Sequence, residues 1–239
     1  MEETNENAKT GTGRRPWKIV SGGQTGVDRA GLSAAVACGL PYGGWIPKGR
    51  RAEDGAVPGF YRDMKEHPSA NYQARTKANV RDSDATLVMT AKTPLSRGTQ
   101  LTVDTARKFG RPFKIVDLRN AGAAAQIRDW MHRLEETVRP GDPSALVLNV
   151  AGPRESKSPG VFEAAKGTLV AAFAEFASAA GAHVLRRGSD RKTDRTEEAG
   201  SGRLAADPGV PYDAAAPSPT SFPAREDGEG PSARGTAGQ

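Results

Sequence analysis

Five short apolar runs alternate with helix-like segments along most of this chain, and that alternation restricts the fold more than any other feature. The runs are residues 17–20, 42–46, 84–90, 112–118 and 145–153. Helical patterns cover residues 27–38, 71–82, a stretch ending at Phe109, 121–137 and 160–180. Nearly all-apolar strands that alternate with helices are typical of a parallel sheet buried on both faces. The sequence therefore predicts an α/β fold, a doubly wound parallel sheet of about five strands with helices on both faces.

The two ends of the chain differ from its middle in composition. Residues 187–239 consist mostly of Gly, Pro, Ala, Ser, Thr and charged residues, and their large apolar side chains are Leu204, Val210, Tyr212 and Phe222. Such a segment cannot bury enough surface to offset the entropy that it loses on ordering. We therefore expect disorder in residues 1–15 and 187–239, and one folded domain over residues 16–186.

The predicted domain is basic, with 24 Lys and Arg residues against 16 Asp and Glu residues, a formal charge of +8. A positive domain suits an anionic ligand, a nucleic acid or a membrane surface, and a solvated surface of mixed charge would also explain it. The sequence has neither a secretory signal nor an apolar run of the length that spans a membrane. We therefore expect a soluble cytoplasmic protein without a membrane partner.

Side chains that commonly bind metals are few and scattered. Cys38 is the one cysteine, which excludes an internal disulfide and a Cys-based zinc site, and we expect it to pack as a small apolar residue. The three histidines, His67, His132 and His183, lack the spacing of metal ligands. The sequence thus gives no candidate metal site.

The first apolar run leads directly into the glycine-rich stretch "SGGQTGVD", which precedes a helix. Ligands of doubly wound sheets bind outside the carboxyl ends of the strands, where this stretch lies. Glycines allow close approach of a ligand to the backbone, and the N–H groups at a helix start favour anions. The candidate residues of this loop are Gly22, Gly23, Gln24, Thr25 and Gly26. A loop that only needs a tight turn is the alternative explanation.

Two more strand exits carry the same chemistry. "SRGT" contributes Arg97, Gly98 and Thr99, and "NVAGPRES" contributes Arg154 beside a glycine. Because parallel strands end together at one edge of the sheet, we expect the three exits to be neighbours. The long loop 47–70 supplies further cations that could reach over this edge, namely Lys48, Arg50 and Arg51. Arginine binds phosphate in a bidentate manner and lysine binds it as a point charge.

Two carboxylates near these loops are candidate catalytic residues. Asp28 follows the first glycine loop, and Glu53 lies in "RRAEDG". Each also has a simpler explanation, because Asp28 suits the positive end of a helix dipole and Glu53 could pair with Arg50 or Arg51. The sequence therefore leaves an enzymatic role for either carboxylate open.

Five ordered blocks resemble one known family. They are "SGGQTGVDRAGL", "GGWIPKGRRAEDG", "NVRDSDATLV", "RGTQLTVDTA" and "LNVAGPRESKSPG". Together they are similar to the molybdenum carrier family, a Rossmann-like group related to the lysine-decarboxylase-like phosphoribohydrolases. The resemblance implies a Rossmann-like fold with strand order 2-1-3-4-5 and molybdenum cofactor (molybdopterin) as the ligand. It also implies molybdoenzymes as recipients and a homo-oligomer, either dimer or tetramer.

One position departs from the related phosphoribohydrolases, which carry P-G-G-x-G-T-x-x-E with a catalytic glutamate. The corresponding stretch here is "PLSRGTQLT", so Thr102 stands where that glutamate would be. This departure favours binding over glycosidic hydrolysis, unless Asp28 or Glu53 substitutes for the missing carboxylate.

Three functions follow from the sequence. The leading hypothesis is a carrier of a phosphorylated anionic small molecule, either molybdenum cofactor or a nucleotide. The alternative is a nucleotide-processing enzyme such as a phosphoribohydrolase. A nucleic-acid-binding protein ranks last, because the sequence has no basic stretch interleaved with aromatic residues.

Overall fold

The computed structural model describes residues 15–91 and 94–177. Its strands are β1 Trp17–Val20, β2 Tyr42–Ile46, β3 Arg51–Ala52, β4 Gly55–Ala56, β5 Met64–Glu66, β6 Ala85–Thr90, β7 Phe113–Asp117 and β8 Leu146–Ala151. Its α-helices are α1 Val27–Ala37, α2 Tyr72–Arg81, α3 Arg97–Lys108, α4 Ala123–Thr137 and α5 Val161–Phe173. Three predictions lie outside the described part: disorder before Arg15, the domain boundary at residue 186 and the disordered tail over residues 187–239.

Six strands form one parallel sheet in the order β5-β2-β1-β8-β6-β7. The predicted α/β doubly wound architecture is confirmed, and each of the five predicted strands is present. Strand β5 was not predicted, and it lies inside the predicted loop 47–70 together with the antiparallel hairpin β3–β4. The three residues of β5, "MKE", contain one apolar side chain, too few to form a pattern.

The expected strand order 2-1-3-4-5 is wrong at one place. The last strand, β8, lies between β1 and β6, with Trp17 opposite Leu146 and Ala85 opposite Leu148. An apolar run shows that a strand is buried between two neighbours, but it does not show which strands those neighbours are. The exit of β8 therefore lies at the centre of the sheet edge, between the other two glycine-bearing exits.

Helices cover both faces of the sheet. Helices α1 and α4 both pack on α5 on one face, and α2 packs on α3 on the other. The largest buried side chains of the main core include Trp17 of β1, Leu87 of β6, Leu148 of β8 and Phe173 of α5. Cys38 is buried in this core as predicted, and burial raises the pKa of its thiol to about 11. No helix within the described ranges combines the length and hydrophobicity that a membrane span needs.

The connections leave a crevice beside β8. The helix that follows β8 is α5, whereas the helix that follows the neighbouring strand β6 is α3, on the opposite face. The topological switch point of a doubly wound sheet lies where the helices that follow two neighbouring strands cover opposite faces. Ligands bind there, at the carboxyl edge of the sheet. The fold thus places the expected ligand site between the exits of β1, β8 and β6.

Candidate ligand-binding site

A cleft of about 550 Å³ opens at this edge of the sheet. Its walls come from the loops after β1 and β8, the start of α3 and one face of α2. Seven of the predicted residues line the cleft, namely Gly22, Gln24, Asp28, Arg97, Gly98, Thr99 and Arg154. Seven others do not line it, namely Gly23, Thr25, Gly26, Lys48, Arg50, Arg51 and Glu53. The expectation that the three strand exits are neighbours agrees with this placement.

Two glycines of the first loop serve the packing of the loop itself. Gly26 has φ +73°, and a Cβ added there would lie 2.5 Å from the carbonyl oxygen of Pro153. The next residue, Val27, donates its N–H to the same carbonyl at 3.2 Å. Gly23 has φ +70° and lies against Ile46 and Val57. Backbone conformation and close approach thus account for Gly23 and Gly26, while Gly22 faces the cleft.

Arg75 of α2 is a cleft residue that the sequence analysis missed. Its guanidinium lies directly on Gly22, where an added Cβ would overlap with Nη1. The same Nη1 donates to Oδ2 of Asp28 at 3.1 Å, and the two side chains are 11% and 6% exposed. The available signal was the spacing of Tyr72, Arg75 and Asn79, which places three polar or aromatic residues on one helix face.

Asp28 is a buried carboxylate at the inner end of the cleft. Besides the ion pair with Arg75, its Oδ2 accepts the backbone N–H of Gln24 at 3.3 Å. Burial raises the pKa of the Asp28 carboxyl, and the positive charge of Arg75 and the Gln24 hydrogen bond oppose that rise. The ion pair neutralises most of the charge at this end of the cleft.

Glu53 joins three loops. Its carboxylate accepts hydrogen bonds from the Thr25 hydroxyl, from the Ser156 N–H at 3.2 Å and from the Ser156 hydroxyl at 2.6 Å. Arg154 adds an ion pair at 3.6 Å. Partial burial acts to raise the pKa of Glu53, but the hydrogen bonds from Ser156 and Thr25 hold it below its ordinary value. The carboxylate is therefore occupied in fastening the hairpin β3–β4 to the first loop and to the exit of β8.

The other acidic residue of the hairpin forms a similar link. Asp54 accepts two hydrogen bonds from the buried guanidinium of Arg29 on α1, one from Nη1 and one from Nη2 at 2.7 Å. Arg29 also donates from Nε to the carbonyl of Gly23 at 3.2 Å. Glu53 pairs with Arg154, so the expected alternative that it pairs with Arg50 or Arg51 is wrong.

The cations of the long loop do not reach the cleft. Arg50 has φ +53° and donates to the carbonyls of Val57 at 3.1 Å, Pro58 at 3.0 Å and Tyr61 at 3.2 Å. Its guanidinium therefore holds the loop after the hairpin. Lys48 and Arg51 are exposed on the outer surface.

The start of α3 forms the second wall. Ser96 caps this helix, accepting the N–H of Thr99 at 3.3 Å, and its hydroxyl lies 2.9 Å from the Thr99 hydroxyl. Arg97 and Gly98 occupy the first two helical positions, whose N–H groups have no partner inside the helix. Position 102 is a threonine and so supplies no carboxylate to the cleft. Its hydroxyl donates to the carbonyl of Gly98 at 3.3 Å.

The exit of β8 forms the third wall. Gly152 fits tightly there, because an added Cβ would lie 2.5 Å from the Met89 carbonyl. Arg154 extends along the cleft with its guanidinium carbon 5.9 Å from the ring centre of Tyr72. Arg154 and Arg97 stand at the outer part of the cleft, and Lys157 also lines it.

The charge of the lining is positive. Four basic residues line the cleft, Arg75, Arg97, Arg154 and Lys157, against one acidic residue, Asp28. In residues 15–91 and 94–177, no group of three or more His, Cys, Asp or Glu side chains could hold a metal ion. The cleft thus offers hydrogen-bond donors and positive charge to a ligand.

Fold and cleft together define a class, the Rossmann-like α/β domains with a basic, glycine-lined cleft at the carboxyl edge of the sheet. The model of the Circularly permutated YpsA SLOG family matches residues 19–173, and the chain belongs to this family. A solved structure from Syntrophus aciditrophicus SB, named "Putative molybdenum carrier protein", is 40% identical to this chain. The match covers 67% of this chain and 96% of that one, with a TM-score of 0.59. A search of curated proteins found no match.

These comparisons confirm the resemblance to molybdenum carrier proteins, and the circular permutation accounts for the strand order. In the numbering of the five predicted strands, the observed order is 2-1-5-3-4. If the numbering starts at β8, the same sheet reads 3-2-1-4-5, the first five strands of the Rossmann order. Apart from the short edge strand β5, the five strands therefore follow the Rossmann order, and the position of the chain ends within the sheet is changed.

Proposed function

We propose that this protein binds a phosphorylated anionic small molecule in the cleft and acts as its carrier. The observation that supports the proposal is the charge of the lining, four cations against one carboxylate that is itself paired with Arg75. The N-terminus of α3 adds two N–H groups and a favourable dipole for an anion.

Molybdenum cofactor (molybdopterin) is the ligand that we propose. It combines a pterin ring with a terminal phosphate, and a cleft of about 550 Å³ lies within the range of ligand pockets. The Syntrophus protein, 40% identical, carries the name of a molybdenum carrier. A carrier of this cargo would deliver it to molybdoenzymes. Assembly as a dimer or tetramer and residence in the cytoplasm stay predictions from the sequence.

The environment of the two candidate catalytic carboxylates supports binding over hydrolysis. Glu53 accepts hydrogen bonds from Thr25 and Ser156 outside the cleft, and Asp28 is paired with Arg75. Thr102 places a hydroxyl where the related hydrolases have their glutamate. We therefore assign Glu53 a structural role and Asp28 a role in ligand binding.

Titration calorimetry tests the proposal with four probes: purified molybdenum cofactor, GMP, AMP and molybdate. We expect a phosphorylated probe to bind well below the millimolar range. The double variant Arg97→Gln/Arg154→Gln should lower its affinity by about 10- to 100-fold, because each arginine supplies a charged hydrogen bond. Arg51→Gln is the matched control, because it removes an exposed cation outside the cleft. Binding of no phosphorylated probe below the millimolar range, or an equal loss in the control, would contradict the proposal.

A further inference from the structure

We propose that the inner end of the cleft is a subsite for an uncharged oxo-heterocycle, formed by Gln24, Asp28 and Arg75. The ligand would enter ring first, with its phosphate at the outer end beside Arg97 and Arg154. This inference rests on the proposed function and adds the orientation of the ligand and the residues that bind its ring.

The side-chain amide of Gln24, a residue of the cleft lining, carries a buried donor. Gln24 is 5% exposed, and its Oε1 accepts two backbone N–H groups, from Thr25 at 3.1 Å and from Glu53 at 2.9 Å. Because both partners are donors, the oxygen and nitrogen of the amide are assigned without ambiguity. The Nε2 group is left buried with no hydrogen-bond partner among the described residues. Such a donor costs free energy unless a ligand supplies an acceptor.

Arg75 presents a second donor of the same kind. Its Nη1 is engaged by Asp28, but its buried Nε finds no acceptor within the part of the chain that the structure describes. Gln24 and Arg75 both line the cleft and flank Gly22, whose missing side chain lets the guanidinium lie on the loop. Two unused donors on residues that line the same cleft and flank the same glycine favour a ligand oxygen at this end.

Asp28 determines which kind of oxygen this is. Its Oδ2 accepts from Arg75 and Gln24, whereas no donor of the described residues reaches Oδ1. A phosphate or another oxyanion at this end would lie next to a carboxylate whose charge Arg75 already balances. A neutral ring with a carbonyl beside an N–H satisfies all three groups, because its carbonyl accepts from Gln24 and Arg75 and its N–H donates to Asp28.

The charge of the outer end completes the orientation. Arg97 is exposed at the start of α3, and the Arg154 side chain is 41% exposed, compared with 6% for Asp28. Arg154 pairs with Glu53 at 3.6 Å, and Arg97 adds an exposed positive charge at the outer end, whereas the ion pair of Arg75 and Asp28 lies inside. A ligand with a neutral ring and an anionic tail fits this distribution of charge only with its ring at the inner end and its tail at the outer end.

A matched pair of nucleotides tests the subsite. GMP has the oxo group and the adjacent N–H, and 2-aminopurine riboside 5′-monophosphate lacks both but keeps the phosphate and the amino group. We expect GMP to bind about tenfold or more tightly than its partner, because a site with buried polar groups rejects an analogue that leaves them unpaired.

Three variants locate the effect. Gln24→Glu keeps both accepted hydrogen bonds and removes the Nε2 donor, and Arg75→Lys keeps the cation beside Asp28 and removes Nε. Each should reduce the ratio of the two affinities severalfold toward one. Arg97→Gln should weaken both nucleotides by the same factor and leave the ratio unchanged. Thermal unfolding followed by circular dichroism establishes that each variant is folded.

The outcomes separate the subsite from the proposed function. Equal affinities of the two nucleotides for the unmodified protein overturn the subsite and leave the proposed function standing. Tight binding of molybdate alone, lost in Gln24→Glu, overturns the subsite because the inner end then holds an oxyanion. Binding of no phosphorylated probe overturns the proposed function and the subsite with it.

Discussion

Arg75 and Asp28 are separated by 47 residues in the sequence, yet Nη1 of the first lies 3.1 Å from Oδ2 of the second. The contact joins α2 to the start of α1 across the first glycine loop, and Gly22 makes room for it. Breaking a buried ion pair on one side only leaves an uncompensated charge, which costs several kcal/mol. The arrangement therefore fixes the inner end of the cleft before any ligand arrives.

The stability of the protein should carry a pH dependence due to Asp28. Burial raises the pKa of Asp28 above its value of 3.8 in the unfolded chain, so the folded state binds the proton more tightly. The contribution of Asp28 to the free energy of unfolding is therefore most favourable below pH 3.8. It becomes less favourable as pH rises from there through the raised folded-state pKa. We expect the free energy of unfolding of the unmodified protein, relative to Asp28→Asn, to fall as pH rises above 3.8. Urea unfolding of both proteins at several pH values measures this difference, and a rise with pH would contradict it.

Glu53 should show the opposite sign. Hydrogen bonds from Ser156 and Thr25 outweigh its burial and hold the pKa of Glu53 below its ordinary 4.5. Its stabilising contribution is therefore present above pH 4.5 and is lost as pH falls through the folded-state pKa. Glu53→Gln should cost about 1–2 kcal/mol at neutral pH, because charged hydrogen bonds are replaced by neutral ones. The same urea series measures it, and a cost that grows on acidification would contradict the assignment.

The strands show what the sequence could and could not predict. Trp17–Val20 and Tyr42–Ile46 have the predicted bounds, because their apolar runs are bounded by glycine, proline or polar residues. The short strand Met64–Glu66 and the central place of β8 were not predictable in this way. The pairing of β5 depends on backbone hydrogen bonds to β2, and strand order depends on how helices pack. Neither leaves a periodic pattern in the residues.

The site shows the same division. Glycines at strand exits predicted the edge of the sheet and the positions of Gly22, Gly98 and Arg154 in the cleft. Charge alone was a poor guide to the arginines, because Arg50 holds carbonyls of its own loop while Arg75 lines the site. What distinguishes these two arginines is the tertiary contact that each makes, and this contact is set by the packing of distant elements.

Arg50 should matter for stability and not for ligand binding. Its guanidinium donates to three carbonyls between Val57 and Tyr61, so Arg50→Ala leaves those acceptors without their partner. We expect a loss of about 1–3 kcal/mol in the free energy of unfolding. The affinity for GMP should change less than twofold, in contrast to Arg97→Gln. Urea unfolding and calorimetry on the same preparations measure the two quantities. A selective loss of affinity in Arg50→Ala would return this residue to the binding site.

Gly26 should be the least replaceable glycine of the first loop. Its φ of +73° and ψ of −132° are strained for any residue with a side chain, and an added Cβ would lie 2.5 Å from the Pro153 carbonyl. The three nearest atoms, from Pro153, Arg154 and Glu155, all belong to the backbone, so the backbone itself must move. Gly26→Ala should therefore lower the free energy of unfolding by about 2 kcal/mol or more.

Gly98→Ala is the control, because an added Cβ meets nothing within 4 Å and the position is helical. We expect it to be neutral or stabilising by up to about 1 kcal/mol. Equal stability of the two variants in urea would show that the first loop does not depend on its contact with the exit of β8.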